Sequence, residues 1–151
     1  MASSGVTRRT AAAVIGTIGV GFIGGTRGIA AQATPAADAV PADFGVVFHV
    51  SADDHWPYAL SNLENLAASH PDARIRVVVD GVGIYALQGE SDVTARLAPL
   101  ASRGVHLAVC PNALHEHGVP DASMPSYADL TLGGVVALVA AQREGYAYIK
   151  P

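Results

Sequence analysis

With 151 residues, 50% of them hydrophobic, the chain is long enough for one domain with its own apolar core. Its single cysteine excludes an internal disulfide framework. Beyond residue 33 there are six basic residues and all 13 acidic ones, a net charge of −7, which excludes the basic patches that bind nucleic acid or anionic membranes.

The first 33 residues have the three parts of an export signal. The basic TRRT precedes the weakly apolar run AAAVIGTIGVGFIGG, and small residues in AAQA follow as a cleavage site. The paired arginines and a further Arg27 resemble a twin-arginine signal, which carries folded proteins out of the bacterial cytoplasm. We therefore expect a periplasmic or otherwise exported protein, cleaved after Ala33.

The apolar run of the signal is shorter than the roughly 20 residues that span a membrane. We expect no stable membrane anchor after cleavage, and an uncleaved anchor is the alternative. Residues 34–43 are rich in alanine and proline and predict a linker. The folded domain is therefore predicted to cover residues 44–151.

Within this domain, strand and helix patterns alternate. In chain order they are strand 45–51, helix 57–69, strand 74–80, helix 91–104, strand 105–110, a short helix or turn at 111–118, strand 127–132, helix 133–145 and strand 146–150. Ser91 is a candidate cap of the second long helix, and Pro99 inside that helix predicts a kink or a split.

This alternation predicts a three-layer α/β fold, in which a mostly parallel five-stranded sheet has helices on both faces. Ligands of such folds bind beyond the carboxyl ends of the strands. Here those ends fall at residues 49–55, 80–85 and 110–117. The predicted site therefore includes the stretch HLAVCPNALHEHG, which contains the cysteine.

Cys110 ends the third predicted strand, and Pro111 and Asn112 can begin a helix directly after it. Free N–H groups and the positive end of a helix dipole favour the thiolate, which is the nucleophilic form of cysteine. Cysteine is also among the most buried residue types, so an inert, packed thiol is the alternative. The residues alone leave both interpretations open.

His115 and His117 follow the cysteine, and a Cys/His set suits copper or zinc. On a helix, however, positions two apart point in different directions, and no second pair of ligands with metal-binding spacing is present. A site formed by Cys110, His115 and His117 is therefore the alternative, and solvated histidines are the simpler interpretation.

Two further stretches carry polar or glycine motifs. In HVSADDHW, His49 and Asp54 are candidates to line the crevice, as are Asn112 and His115, although Asp54 also suits a helix cap before Pro57. GVGIYA fits a dinucleotide-binding motif in its letters only, because it follows the second strand and lacks the acidic partner. We interpret its glycines as turn formers.

Four segments together resemble the DsrE/DsrF-like family: VVFHVSADDHWPYALSNLENL, RIRVVVDGVGIYAL, GVHLAVCPNAL and GGVVALVAAQREGYAYIKP. Their order and spacing, the Cys-x-Asn after the third strand and the closing Gly-Tyr-x-Tyr-Ile carry the resemblance, which covers residues 44–151 and is to small, exported, single-domain members. It implies a three-layer α/β fold and homo-oligomers.

The resemblance also implies a role in sulfur relay, in which a cysteine at the place of Cys110 accepts sulfane sulfur as a persulfide and passes it to a protein thiol. We therefore expect an exported sulfur carrier that is not a conventional turnover enzyme and needs no cofactor. The alternatives are a periplasmic copper- or zinc-binding protein and a non-catalytic oligomeric module that binds a small ligand.

Overall fold

The computed structural model describes residues 40–41 and 43–151. Its centre is a five-stranded sheet in which all paired strands are parallel and the order is β4-β3-β2-β1-β5. The strands are β1 Gly45–Val50, β2 Arg74–Val79, β3 His106–Val109, β4 Ala128–Asp129 and β5 Tyr146–Ile149. The predicted parallel α/β sheet is therefore confirmed.

Four α-helices connect these strands. They are α1 Trp56–Ser69, α2 Asp92–Ser102, α3 Pro111–Glu116 and α4 Gly134–Arg143. Two short 3₁₀ helices, Asp53–His55 and Gly81–Leu87, follow β1 and β2, and a third lies at Asp121–Ser123. The predicted order of strands and helices is thus observed, with bounds that differ by a few residues.

The two faces of the sheet are covered unequally. One face has the larger core, in which Phe48 and Val77 of the sheet pack with α1, α2, α3 and the segment Gly81–Leu87. The other face packs against α4 alone, through a small cluster of Val47, Val78, Ala108, Ala137, Leu138 and Ala141. Helices therefore lie on both faces, as predicted, and α4 is a single layer with an exposed outer side.

Pro99 does not split the second long helix, which contradicts one of the two predicted outcomes. Helix α2 is continuous from Asp92 to Ser102 and includes Pro99. Proline removes the hydrogen bond to the carbonyl four residues earlier, that of Ala95. Both residues are exposed, so water can reach this carbonyl.

Ser91 caps the helix as predicted, since its side chain accepts from the Thr94 N–H at 3.1 Å in a reciprocal capping box.

Two other local predictions are corrected. Strand β4 has only two residues instead of six, because the side chain of Asp129 accepts hydrogen bonds from the backbone and hydroxyl of Thr131 and turns the chain. Asp54 does not cap helix α1: it lies inside the 3₁₀ helix Asp53–His55, and the residue before α1 makes no capping hydrogen bond through its side chain.

The predicted signal at residues 1–33 and most of the linker 34–43 lie outside the described residues. In the part of the chain that the structure describes, no helix combines the length and the apolar character needed to cross a bilayer.

Candidate functional site

Cys110 joins strand β3 to helix α3. Its N–H donates to the carbonyl of Val79 at 2.9 Å, which extends the pairing with β2. Its carbonyl accepts the first helical hydrogen bond, from Leu114 at 3.1 Å, so Cys110 is the residue that precedes the helix. Pro111 has no N–H, which leaves the N–H groups of Asn112 and Ala113 as the free donors at this end.

The thiol of Cys110 borders a crevice of about 420 Å³ at the carboxyl edge of the sheet. Cys110 is buried, at 8% exposed, and packs with the larger core on one side while it borders the crevice on the other. The crevice lies between the end of β2, helix α3 and the start of α4. The residues that line it are Asp80, Gly81, Cys110, Asn112, Ala113, Glu116, Gly133, Gly134, Val135 and Val136.

Two consecutive glycines, Gly133 and Gly134, line this crevice, and at Gly134 a neighbouring side chain occupies the space of a Cβ. A Cβ on Gly134, the first residue of α4, would lie 2.8 Å from Oδ2 of Asp80 and 2.9 Å from its Cβ. A Cβ on Gly133 would lie 3.5 Å from Nδ2 of Asn112, an ordinary contact. Gly134 therefore allows the carboxylate of Asp80 to lie against the amino end of α4.

A hydrogen-bonded chain fixes Asp80 from the side of the sheet. Nε2 of His49 is 2.9 Å from Oδ1 of Asp80, and Nδ1 of His49 is 2.8 Å from the hydroxyl of Tyr148. Because an ionised carboxylate can only accept, we assign the proton to Nε2; in the neutral ring Nδ1 then accepts from Tyr148. The ends of β2, β1 and β5 are thereby linked through their side chains.

The loop before Gly133 is held by Asp129 at the end of β4. Hydrogen bonds from the side chain and the backbone of Thr131 lower the pKa of Asp129, and the nearby His106 lowers it further. The carboxylate is therefore ionised at neutral pH and accepts from Thr131 at 2.6 and 2.9 Å. This turn directs the chain towards the two glycines of the crevice.

The structure brings only some of the predicted site residues together. Asn112 lines the crevice with Cys110, and His49 lies behind it, in contact with Asp80. His115 is exposed on α3 and does not line the crevice, and Asp54 is exposed in the 3₁₀ helix after β1. His117 follows α3, where its Nδ1 is 3.2 Å from the hydroxyl of Tyr85.

Residues 40–41 and 43–151 contain no group of three or more His, Cys, Asp or Glu side chains placed to hold a metal ion. The predicted alternative metal site of Cys110, His115 and His117 is therefore not formed among these residues.

The glycines of GVGIYA lie in the 3₁₀ helix Gly81–Leu87. Gly81 has a positive φ of 50°, and a Cβ on it would lie 2.7 Å from the carbonyl oxygen of Ser51. Close approach to the end of β1 explains this glycine.

The sequence reasoning missed four contributors to the site: Asp80, Glu116, Gly134 and Tyr148. Asp80 was recognisable as a polar residue at the end of a predicted strand. Glu116 follows Asn112 by four positions, a spacing that puts both on one face of a helix. Gly134 and Tyr148 carry no such signal, because their roles depend on residues far away in the chain.

Comparison with known proteins identifies the family of the chain. The model of the DsrE/DsrF-like family matches residues 44–151. The chain belongs to the DsrE/DsrF-like family. Among solved structures, it is similar to MTH1491 from Methanobacterium thermoautotrophicum, a protein of unknown function, with 32% sequence identity and a TM-score of 0.68. That match covers 72% of this chain and 100% of MTH1491. No curated protein matches the chain.

Family membership confirms the resemblance found in the sequence and the α/β fold. The DsrE/DsrF-like family is generally linked to sulfur relay. In this member, the carboxyl edge of the sheet has a crevice with one thiol, two carboxylates and an amide. Such a set of groups can hold a small molecule beside Cys110.

Proposed function

We propose that this DsrE-like protein is a sulfur carrier in which Cys110 accepts sulfane sulfur and passes it on as a persulfide. The observation that carries the proposal is the thiol of Cys110 on the wall of an open crevice, immediately before a helix. Cys110 packs with the larger core and also borders this crevice, and a second sulfur atom on its thiol needs space on the crevice side. The crevice of about 420 Å³ has that space.

The transfer is an exchange at sulfur and needs no oxidant. The thiolate of Cys110 attacks the outer sulfur of a donor persulfide or polysulfide. An Sγ–S bond forms as the S–S bond of the donor breaks, and the rest of the donor leaves as a thiolate. An acceptor thiolate then attacks the outer sulfur, and Cys110 leaves as a thiolate. Cys110 is thereby restored as a thiolate, and the net change is the transfer of one sulfur atom from the donor to the acceptor.

The start of α3 supports this chemistry. The N–H groups of Asn112 and Ala113 belong to the first turn of α3 and have no partner within the helix, and Cys110 directly precedes them. Partial positive charge at a helix start stabilises a thiolate and a persulfide anion alike. Pro111 fixes the backbone of the first helical position, so that these donors are already oriented in the free protein.

Mass spectrometry of the intact protein tests the proposal. The folded protein is incubated with excess inorganic polysulfide, freed of reagent and measured. We expect the mass of one or more added sulfur atoms, which a reductant such as dithiothreitol removes. The Cys110→Ser variant is the matched control, since it keeps the shape of the residue and leaves the chain without a thiol. No added sulfur on the wild type, or equal addition to the variant, contradicts the proposal.

The proposal includes export, for which the support is the sequence of residues 1–33. Donor and acceptor are then molecules of the periplasm or the cell exterior, and the acceptor is a protein thiol. The copper or zinc alternative has no supporting cluster among residues 40–41 and 43–151. The non-catalytic alternative predicts a thiol that resists alkylation, and the measurement that closes the Discussion distinguishes it.

A further inference from the structure

The crevice around Cys110 has acidic walls. Among the described residues that line it, Asp80 and Glu116 have carboxylates and none is lysine or arginine. Glu116 lies on the exposed side of α3 and is free to face an incoming molecule. A thiolate at Cys110 adds a third negative charge to the same space.

The amino end of α4 does not offset this charge. The start of a helix is ordinarily a place where an anion binds, because its N–H groups are free. Here the carboxylate of Asp80 lies beside it, with Oδ2 only 2.8 Å from the Cβ position of Gly134. The hydrogen bond from His49 to Oδ1 holds the carboxylate there. An anionic ligand therefore meets the protein's own carboxylate at this helix start.

The basic groups of the described chain lie elsewhere. Lys150 is at the same edge of the sheet, but its ammonium donates to the hydroxyl of Ser51 at 2.9 Å and it does not line the crevice. Arg143 is at the opposite end of α4, about 14 Å from Gly134 at 1.5 Å per residue. Arg76 is paired with Glu144 and stacked on Tyr146, away from the crevice.

We propose that the crevice selects sulfur donors by charge: neutral and cationic persulfides and disulfides react at Cys110, whereas anionic donors such as thiosulfate are disfavoured. This inference rests on the proposed function and names the substrate class of the same site. Inorganic polysulfide, an anion, still loads the thiol when it is in excess, but slowly.

Three disulfides of different charge test the selection through one reaction. In each case the thiolate of Cys110 attacks a sulfur, a mixed disulfide forms and the other half leaves as a thiolate. The reagents are dianionic dithiobis(nitrobenzoate), neutral dithiodipyridine and dicationic cystamine. Each rate is divided by the rate of the same reagent with a small neutral thiol, which removes differences in intrinsic reactivity.

Charges about 8 Å apart in water change a rate by roughly two- to threefold per pair. At low ionic strength we therefore expect the two carboxylates, acting on the nearer charge of each reagent, to slow the anionic reagent roughly fivefold and to accelerate the cationic one roughly fivefold, relative to the neutral one. Added salt should bring the three corrected rates together, because exposed charges are screened.

Isosteric variants identify the carboxylates responsible. Asp80→Asn and Glu116→Gln each keep the shape of the side chain, and the double variant should react with all three reagents at similar corrected rates. Glu90→Gln is the control, because Glu90 is exposed and does not line the crevice. Glu116 is on the surface, so its single variant still tests the inference if Asp80→Asn fails to fold.

A wild-type preference for the anionic reagent overturns the inference, as does a preference unchanged in Glu116→Gln and in the double variant. These outcomes leave the proposed function intact, since a thiol that reacts without charge selection can still carry sulfur. A thiol that reacts with none of the three reagents overturns both, because the sulfur is then inaccessible.

Discussion

Cys110 shows how far a single residue can be interpreted from sequence. Its place at the end of an apolar run and before Pro111 predicted the end of a strand and the start of a helix, and both are observed. The two open interpretations, a reactive and an inert thiol, differ in whether the sulfur borders open space. That depends on Gly133 and Gly134, which only the folded chain brings to the crevice.

Asp80 was visible in the sequence as the residue after strand β2, but its role was not. Its carboxylate has partners in His49 on β1 and at the start of α4. Neither the distance from Asp80 to His49 nor that from Asp80 to Gly134 can be predicted from the local sequence, because each joins segments that are far apart in the chain. The acidic character of the crevice was therefore not predictable from the net charge.

Gly134 provides a residue-scale prediction. In Gly134→Ala the new Cβ would lie 2.9 Å from the Cβ of Asp80, which is not a flexible end of a side chain. The carboxyl group must shift and its hydrogen bond with His49 must weaken. We expect a loss of about 1–3 kcal/mol in the free energy of unfolding, a typical cost of overpacking, measured by urea denaturation.

Gly133→Ala is the matched control for this prediction, because its Cβ would meet only Nδ2 of Asn112 at 3.5 Å. It also replaces glycine before the first helical residue, a change that typically costs about 1 kcal/mol or less. Equal destabilisation by the two variants would show that the contact with Asp80 is not tight.

At the scale of elements, the sequence pattern predicted helices α1, α2 and α4, left α3 open as a short helix or turn, and did not predict the 3₁₀ helix Gly81–Leu87. The predictions that were wrong concern local hydrogen bonding at three places in the chain. Pro99 is tolerated inside α2 because the affected carbonyl faces solvent, and β4 ends early because Asp129 bonds to Thr131. Asp54 was expected to cap α1, but the preceding 3₁₀ helix continues directly into it. In the first two cases solvent or a side chain satisfies backbone groups, which a pattern of apolar residues does not describe.

Helix α4 is the element with the largest unexplained apolar surface. Val135, Val136 and Val139 are 71%, 58% and 49% exposed, and Leu132 before the helix is 43% exposed. Since α4 is the only helix in the smaller core, its outer side has no neighbour among the described residues. We propose that a second copy of the chain covers it, as the homo-oligomers implied by the sequence resemblance require.

Light scattering tests this assignment through the mass in solution. The wild type should be an oligomer, and Leu132→Glu with Val139→Glu, two positions that do not line the crevice, should produce a folded monomer, because two buried charges at an interface are costly. Val82→Glu is the control, since Val82 is similarly exposed at 42% but lies on the segment after β2. A monomeric wild type contradicts the proposal, and so does an oligomer that survives both glutamates.

At the scale of the whole molecule, the parallel sheet explains why the polar groups meet. All paired strands run in one direction, so the residues after β1, β2 and β3 gather at one edge. This was predictable, because alternating strands and helices favour parallel pairing. The strand order β4-β3-β2-β1-β5 was not predictable. Because β5 pairs with β1, Tyr148 lies next to His49, and because β3 pairs with β2, Cys110 lies next to the strand that Asp80 follows.

The most direct test of a working thiol at Cys110 compares its alkylation by iodoacetamide, a neutral reagent, in the folded protein and in urea. If the thiol faces the crevice, we expect the folded rate to be within about tenfold of the unfolded rate, corrected for urea. A thiol sealed in the core would react only through opening; for a typical stability of about 5 kcal/mol the rate would fall by roughly a thousandfold or more. Protection of that size would contradict the sulfur-carrier account.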